Sequence, residues 1–300
     1  MAKLRRNHTS RGGAAAGTTI FKVTVFALIL FGLIWAFHKW DKGAGARENG
    51  PSPYAGERYY LPTGGSGPLV HHGGFTLRYD EEWEQAAWVA YLLEGKNLDR
   101  EWARREDNFR ADPAVRTGSA SPEDYRGSGY DRGHLAPFAD FAWNAQYADE
   151  TFLLSNVSPQ APQFNQGIWR ELEELVRDWA RGAGRLYVVT GPVRSEPPKG
   201  HVGRQARVPV PQAYFKVLLD LEQPEQKGIA FLIPNAVSFR PLPEYTVSID
   251  SVERLTGFDF FPELMPRDLE EQLERASNPD LWPFSNKKFD RRVGVWNQVQ

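Results

Sequence analysis

The sequence contains no cysteine among its 300 residues. This absence excludes disulfide bonds, thiolate metal sites and cysteine nucleophiles, and it leaves the redox compartment undetermined. Any metal ion must therefore be held by oxygen or imidazole ligands. That restriction favours hard ions such as magnesium or calcium.

A surplus of positive charge is also missing from most of the chain. The first 47 residues hold eight of the 36 Lys and Arg residues and one of the 38 Asp and Glu residues, so the rest carries a net charge of −9. A protein that grips nucleic acid through a broad basic surface has the opposite balance. If this part of the chain handles phosphates, it must use a local cluster of arginines and a metal ion.

One long apolar run lies near the N-terminus. Residues 23–37 carry no charge, and extension to residues 18–40 gives the length of about 20 residues that spans a bilayer. We therefore predict a transmembrane signal anchor at 18–40, preceded by a basic segment at 1–17 and followed by a flexible linker at 41–60.

The basic residues on the two sides of this anchor predict its orientation. Their balance favours an N-terminus in the cytoplasm and the bulk of the chain outside it, in the periplasm or the extracellular space. The triplet Ala44-Gly45-Ala46 resembles a signal-peptidase site. Cleavage there, with secretion of the remainder, is the alternative.

The remainder of the chain is predicted to be a domain of the α+β class at 61–275 with a C-terminal tail at 276–300. Residues 99–129 are polar and are predicted to be mainly loop. Apolar runs predict strands, and a spacing of three and four predicts helices. The predicted strands are 75–79, 151–154, 185–190, 213–219 and 228–233, and the predicted helices are 168–180, 248–255 and 268–275. Strands punctuated by helices without regular βαβ alternation favour a mixed sheet architecture.

His134 is the first candidate for chemistry, although a lone histidine is more often structural than catalytic. Asp131 and Arg132 place opposite charges just before it, Gly133 allows close approach of the backbone, and Pro137 makes the following segment rigid. A carboxylate or carbonyl that accepts from one imidazole nitrogen would free the other nitrogen to take a proton.

Two asparagines and a glutamate, further candidates for chemistry, follow His134 a short way along the chain. Asn156 ends the apolar run that begins at residue 151, and Asn165 stands just before the predicted helix. Asn165 has two interpretations, as a helix N-cap or as a neutral oxygen ligand for magnesium. Glu173 borders the apolar face of that helix and needs a partner, which a metal-bound water would supply. Glu171 is expected to be a solvated charge.

Three motifs around these residues closely resemble the DNA/RNA non-specific endonuclease family, the ββα-metal group. They are DRGHLAP at 131–137, FLLSNVSPQ at 152–160 and FNQGIWRELE at 164–173. They stand in the order and at the spacing of the family, and the similarity extends over residues 70–265. The resemblance implies a ββα-metal nuclease fold with a central, mostly antiparallel sheet flanked by helices.

The resemblance also implies roles for four of the candidates. His134 is implied as the general base that deprotonates the attacking water. Asn165 is implied as the direct protein ligand of one Mg²⁺ ion, for which Mn²⁺ can substitute, and Glu173 as the residue that binds and orients the waters of the ion. Asn156 lies where the family uses an asparagine to support the site.

Arginines are implied as the partners of the phosphate. Arg132, within the first motif, would counter the charge on the phosphate. The family also has an upstream arginine at the scissile phosphate, and here the match is open among Arg104, Arg105 and Arg110. We favour Arg105.

These observations predict a magnesium-dependent endonuclease that cleaves DNA and RNA without regard to sequence or sugar. Two alternatives stay open, a catalytically impaired nucleic-acid-binding module on the same fold and a phosphodiesterase that acts on small phosphodiesters. Degenerate relatives should lose one of His134, Asn165 and Glu173, and this chain has all three. The expected partners are nucleic acid, the membrane and a second copy of the chain in a homodimer.

Overall fold

A seven-stranded antiparallel sheet forms the centre of the computed structural model, which describes residues 60–298. The strands among these residues are β1 (Leu69–His71), β2 (Thr76–Asp80), β3 (Gln85–Glu94), β4 (Asp131–His134), β5 (Val157–Gln160), β6 (Arg185–Pro192), β7 (His201–Val202), β8 (Val208–Pro209), β9 (Ala213–Asp220), β10 (Lys227–Pro234) and β11 (Thr246–Val247). The order in the large sheet is β1-β2-β3-β6-β9-β10-β11, and every neighbouring pair is antiparallel. The strands β4 and β5 form a separate antiparallel pair, as do β7 and β8.

Eight α-helices accompany these strands within residues 60–298. They are α1 (Gly95–Leu98), α2 (Pro122–Tyr125), α3 (Phe138–Phe141), α4 (Ala145–Glu150), α5 (Arg170–Ala183), α6 (Ile249–Thr256), α7 (Arg267–Arg275) and α8 (Asn286–Gly294). This mixture of helices around a central antiparallel sheet confirms the predicted architecture. Residues 99–129 are mainly loop, as predicted, apart from α2.

The main core lies between α5 and the sheet. Leu172, Leu175 and Val176 recur on one face of α5 and are buried in the same cluster as Val188 on β6 and Leu218 on β9. Side chains on both faces of β6 and β9 are buried, which is why these strands appear in the sequence as continuous apolar runs. The predicted strands at 185–190, 213–219 and 228–233 are therefore confirmed, each with one or two extra residues.

The predicted helix at 168–180 is displaced toward the C-terminus. Residues Phe164–Trp169 form a wide π-helical turn that is broken at Gly167, where φ is −104° and ψ is −108°. The α-helix begins only at Arg170 and continues through the expected stop at Gly182. It ends before Gly184, whose φ of 95° is a backbone conformation that glycine adopts without strain.

The prediction of a strand at 151–154 is wrong. Phe152, Leu153 and Leu154 are buried, but Phe152 lies in a turn, Leu153 forms only an isolated bridge to Arg110, and a 3₁₀ turn occupies Leu154–Asn156. The strand β5 starts immediately afterwards. A short buried apolar run has the same composition whether it is extended or coiled, so the pattern could not separate the two.

The packed structure continues beyond the predicted boundary at residue 275. Trp282 is buried in the main core, with its ring 5.1 Å from that of Trp179 on α5. Arg292 on α8 is fully buried and donates to the carboxylate of Glu171 at 2.5 Å and to the carbonyl of Ser238. The expectation that Glu171 is a solvated charge is therefore wrong, because α8 covers it.

The predicted membrane anchor at 18–40 and basic segment at 1–17 lie outside the described residues, as does all but the last residue of the linker at 41–60. Across residues 60–298, no helix has both the length and the apolar character that crossing a membrane requires.

The buried ion pair between α5 and α8 predicts that Arg292→Met destabilises the fold. The substitution leaves the carboxylate of Glu171 buried without its partner, and we expect the free energy of unfolding to fall by about 3–5 kcal/mol. The exposed neighbour Arg291 provides the control, since Arg291→Met should change it by less than about 0.5 kcal/mol. Urea unfolding measures both, and equal losses would show that α8 does not hold Glu171 in the folded state.

Candidate active site

The strands β4 and β5, followed by α5, form a ββα unit. The pairing of β4 with β5 sets Asp131 opposite Gln160 and His134 opposite Val157. Between them, Gly133 faces the side chain of Gln160 so closely that an added Cβ would lie 2.1 Å from a side-chain carbon. Any larger residue would require the buried side chain of Gln160 to move, so packing favours the glycine of the first motif.

One open groove runs along this unit and collects the predicted site residues. Its lining includes Arg105, Arg132, His134, Asn165 and Glu173. The residues come from a loop, from β4, from the π-helical turn and from the first turn of α5. The structure thus brings together five of the six predicted residues. The sixth, Asn156, lies behind the groove.

Aromatic rings hold the imidazole of His134 in place. The rings of Phe109 and Phe152 lie 5.3 Å and 5.1 Å from it, and Nε2 is buried without a hydrogen-bond partner. Contrary to the sequence-based expectation, no carboxylate or carbonyl within residues 60–298 accepts a hydrogen bond from this ring. Since the residue is partly exposed and Nε2 is buried, Nδ1 is the nitrogen that faces the groove.

The surroundings keep His134 uncharged. Burial, together with the positive charges of Arg105 and Arg132, lowers its pKa to about 3 against the opposite effect of Asp107. At neutral pH the imidazole therefore carries no charge and has a free lone pair that can take a proton.

Arg105 is the one of the three upstream arginines that reaches the groove. Its guanidinium carbon lies 5.3 Å from the ring of Phe152, and its Nε donates to Asp107 at 2.8 Å. Arg110 instead pairs with Asp149 at 2.6 Å, and Arg104 is exposed and does not line the groove. These positions favour Arg105 as the upstream arginine.

Arg132 stacks on an aromatic ring at the other side of the groove. Its guanidinium carbon lies 4.2 Å from the ring centre of Phe109, a cation–π geometry. Its side chain is exposed, and within residues 60–298 it forms no salt bridge. The guanidinium group is therefore oriented by the ring and left available to an anion.

Asn165 is oriented by a carboxylate. Its amide nitrogen donates to Asp131 at 2.9 Å, and the side chain of Gln166 donates to the same oxygen at 2.9 Å. Because a carboxylate only accepts hydrogen bonds, Asp131 selects the nitrogen of Asn165 and leaves the amide oxygen for a cation. The alternative of a helix N-cap is excluded, since Asn165 lies inside the π-helical turn and Trp169 precedes α5.

Glu173 lies close to a group of charged side chains that are buried or partly buried. Burial raises its pKa to about 7, although Lys216 and Arg177 act to lower it. Lys216 is itself buried on β9 and donates to Thr190, and Arg177 donates to Asp140 at 3.0 Å. Within residues 60–298 no hydrogen bond or salt bridge joins the carboxylate of Glu173 to another side chain, so its oxygens remain available to a ligand.

Sequence reasoning missed two cations of this group. Arg177 follows Glu173 by four residues, one turn of α5, and it lines the same groove. Lys216 stands alone between Phe215 and Val217 in an apolar strand. A single charge inside such a run is the signal that could have indicated a buried ionic partner.

Asn156 is a positioning residue. Its amide oxygen accepts from the backbone nitrogen of Ala136, and its amide nitrogen donates to the carbonyls of Ala136 and Thr151, each at 2.9 Å. The side chain is fully buried and uses its hydrogen bonds within the protein. It fixes the segment that follows His134 and does not reach the groove.

Comparisons with known proteins agree with this geometry. The model of the DNA/RNA non-specific endonuclease family matches residues 55–266. The chain is 38% identical to mitochondrial endonuclease G of Homo sapiens over 70% of this chain and 74% of that protein. It is 35% identical to a nuclease of Nostoc sp. over 66% of this chain and 74% of that protein.

A solved structure agrees as well. The crystal structure of an EndoG/EndoGI complex, described as showing the mechanism of EndoG inhibition, superposes with a TM-score of 0.63 at 30% identity, over 70% of this chain and 90% of that chain. The family is one of metal-dependent nucleases that hydrolyse phosphodiester bonds. The chain belongs to the DNA/RNA non-specific endonuclease family.

Proposed function

We propose that the protein is a magnesium-dependent endonuclease that hydrolyses DNA and RNA without sequence or sugar specificity, with His134 as general base and a single metal ion. The observation that carries this proposal is the convergence of a neutral imidazole, two oxygen donors and arginines on one groove. The membership of the family supports it.

The donor set fits a hard divalent cation. Asp131 leaves the amide oxygen of Asn165 available, and the carboxylate of Glu173 has no competing protein partner among residues 60–298. Magnesium takes few protein ligands and keeps several waters, so Asn165 as direct ligand and Glu173 as a partner of those waters are sufficient. Mn²⁺ is the expected substitute. When bound, the ion supplies positive charge to the scissile phosphate.

His134 would accept the proton of the attacking water at Nδ1. The water oxygen forms a bond to phosphorus in line with the bond to the 3′ oxygen, which breaks. The products are a 5′ phosphate and a 3′ oxygen that takes a proton from solvent water to become a hydroxyl, while His134 later returns its proton to solvent. In the free protein the low pKa of His134 makes it a weak base. Burial is the largest cause of this low pKa, and a bound phosphate raises the pKa of His134 by offsetting the second cause, the charges of Arg105 and Arg132.

Arginines would stabilise the charge that develops on the phosphate. Arg105 and Arg132 lie on the groove and are exposed, so both can contact phosphate oxygens. Contacts to phosphate carry no information about the base, which accounts for activity on DNA and RNA alike. They also explain how an acidic chain binds an anionic polymer, and they predict weaker binding as salt rises.

The alternatives are less well supported. A catalytically impaired binding module has no need for a neutral histidine beside two available oxygen donors. A phosphodiesterase for small phosphodiesters would use a closed pocket, and the groove along the ββα unit is open. The membrane anchor at 18–40, a location outside the cytoplasm and the homodimer stay predictions from the sequence.

A nicking assay tests the proposal. The full chain should nick supercoiled plasmid and cleave RNA with Mg²⁺, and a chelator should stop both reactions. Asn165→Ala should lower both rates by at least about 100-fold, because the direct ligand is lost. Asn108→Ala, which changes an exposed asparagine outside the groove, should cleave like the wild type. Absence of cleavage of both substrates with Mg²⁺ would favour the binding module.

The charge on His134 can be measured separately. In the free protein, NMR titration should find the imidazole neutral from pH 5 to 8, since burial and arginines hold its pKa well below the ordinary value of 6.5. Arg105→Gln should raise this pKa, because it removes the positive charge with the larger effect on His134. Arg104→Gln, at the exposed neighbour, should leave it unchanged. A midpoint near 6.5 in the wild type would show that the ring is solvated and not held in the aromatic cage.

A further inference from the structure

Three carboxylates come together where α6 meets α7. Asp250 and Glu253 stand three residues apart on α6, so they share one face of that helix, and Glu274 stands on the last turn of α7. One carboxylate oxygen from each lies within 4.8 Å of the others. The cluster shares no residue with the nuclease groove.

Glu274 is the unusual member of this cluster. Glu274 is only 6% exposed, and its Oε1 is buried without a hydrogen-bond partner. A buried carboxylate oxygen without a partner is costly. Within residues 60–298, no Lys or Arg forms a salt bridge with Glu253 or Glu274, and the cation beside Asp250 is the exposed Arg254 at 3.8 Å.

Further acidic groups add to the negative charge at this point. Asp259 and Glu270 lie close enough to act on Glu274, and burial together with these neighbours raises the pKa of Glu274 to about 9. The backbone nitrogen of Phe260 donates to Oε1 of Glu253 at 2.8 Å. This bond fixes the direction of the Glu253 carboxylate while its second oxygen remains available.

We infer that Asp250, Glu253 and Glu274 bind a divalent cation of the calcium class, at a site separate from the nuclease groove. Three carboxylates on one ion are typical of calcium, which takes about 6–8 oxygen ligands, whereas magnesium usually uses one or two carboxylates. The three oxygens lie within 4.8 Å of one another, so they can share one such ion. Asp250 and Glu253 are partly exposed, so waters can complete the coordination sphere.

The ion would connect two helices that pack on the same strand. Both α6 and α7 contact β10, and the backbone of Gly228 on β10 lies against Ile249 of α6 and Leu273 of α7. A cation held by both helices neutralises the repulsion between their carboxylates. Its effect is on stability, and the groove carries out cleavage without it.

Binding of Ca²⁺ alone tests this inference. Native mass spectrometry should find one tightly held Ca²⁺ per chain in the full-length Asn165→Ala variant, whose groove lacks its proposed ligand. Saturating Ca²⁺ should raise the Tm of this variant by about 5 °C or more. Adding Glu274→Gln should abolish both effects, whereas Glu271→Gln, at an exposed acid on the same helix, should preserve them.

Two further measurements keep the outcome decisive. If Glu274→Gln does not fold, Asp250→Asn removes a partly exposed ligand and should abolish the Ca²⁺-dependent rise in Tm. Glu274→Gln in the otherwise unchanged chain should cleave plasmid with Mg²⁺ at the wild-type rate, so that this site and the groove are tested independently. No bound Ca²⁺ in Asn165→Ala, or binding that survives both Glu274→Gln and Asp250→Asn, would overturn the inference and leave a carboxyl group that simply shares a proton with its neighbours.

Discussion

The antiparallel pairing of β4 with β5 is the constraint on which the site depends. A slip of one residue in this register would move every side chain of β4 to the opposite face, and with it His134 and Asp131. Gly133 allows the close pairing, because a side chain at this position would displace the buried Gln160. Asn156 then fixes the segment after His134 through three hydrogen bonds. The base and the carboxylate that orients the proposed metal ligand are thus placed by one strand.

Charge at the groove is arranged locally and not spread over the surface. The buried Lys216 and the partly buried Arg177 lie near Glu173 and the buried carboxylate of Asp140, so the groove carboxylate is supported without a direct salt bridge. Above it, arginines backed by aromatic rings leave guanidinium groups available. A chain with a net charge of −9 after residue 47 therefore depends on this local cluster of arginines to attract a phosphate to the groove. This arrangement suits a nuclease that reads the backbone.

Local patterns predicted the parts of the molecule that local physics determines. Continuous apolar runs were sufficient for β6, β9 and β10, and the motif residues on β4 and α5 proved to lie on one groove. The run at 151–154 was misassigned because burial, and not extension, explains its composition. The sequence did not predict the roles of Arg177 and Lys216 or the partner of Glu171. These depend on contacts between residues far apart in the chain. Sequence patterns report on residues that are neighbours in the chain, which is why they predicted the strands and missed the distant ionic contacts.

The central claim is that His134 acts as the general base of this groove. Single-turnover cleavage of plasmid by His134→Gln, compared with His201→Gln at an exposed histidine on β7, tests it most directly. We predict that His134→Gln folds like the wild type and cleaves about 100- to 10,000-fold more slowly, while His201→Gln cleaves normally. A folded His134→Gln variant that cleaves at the wild-type rate would contradict the claim.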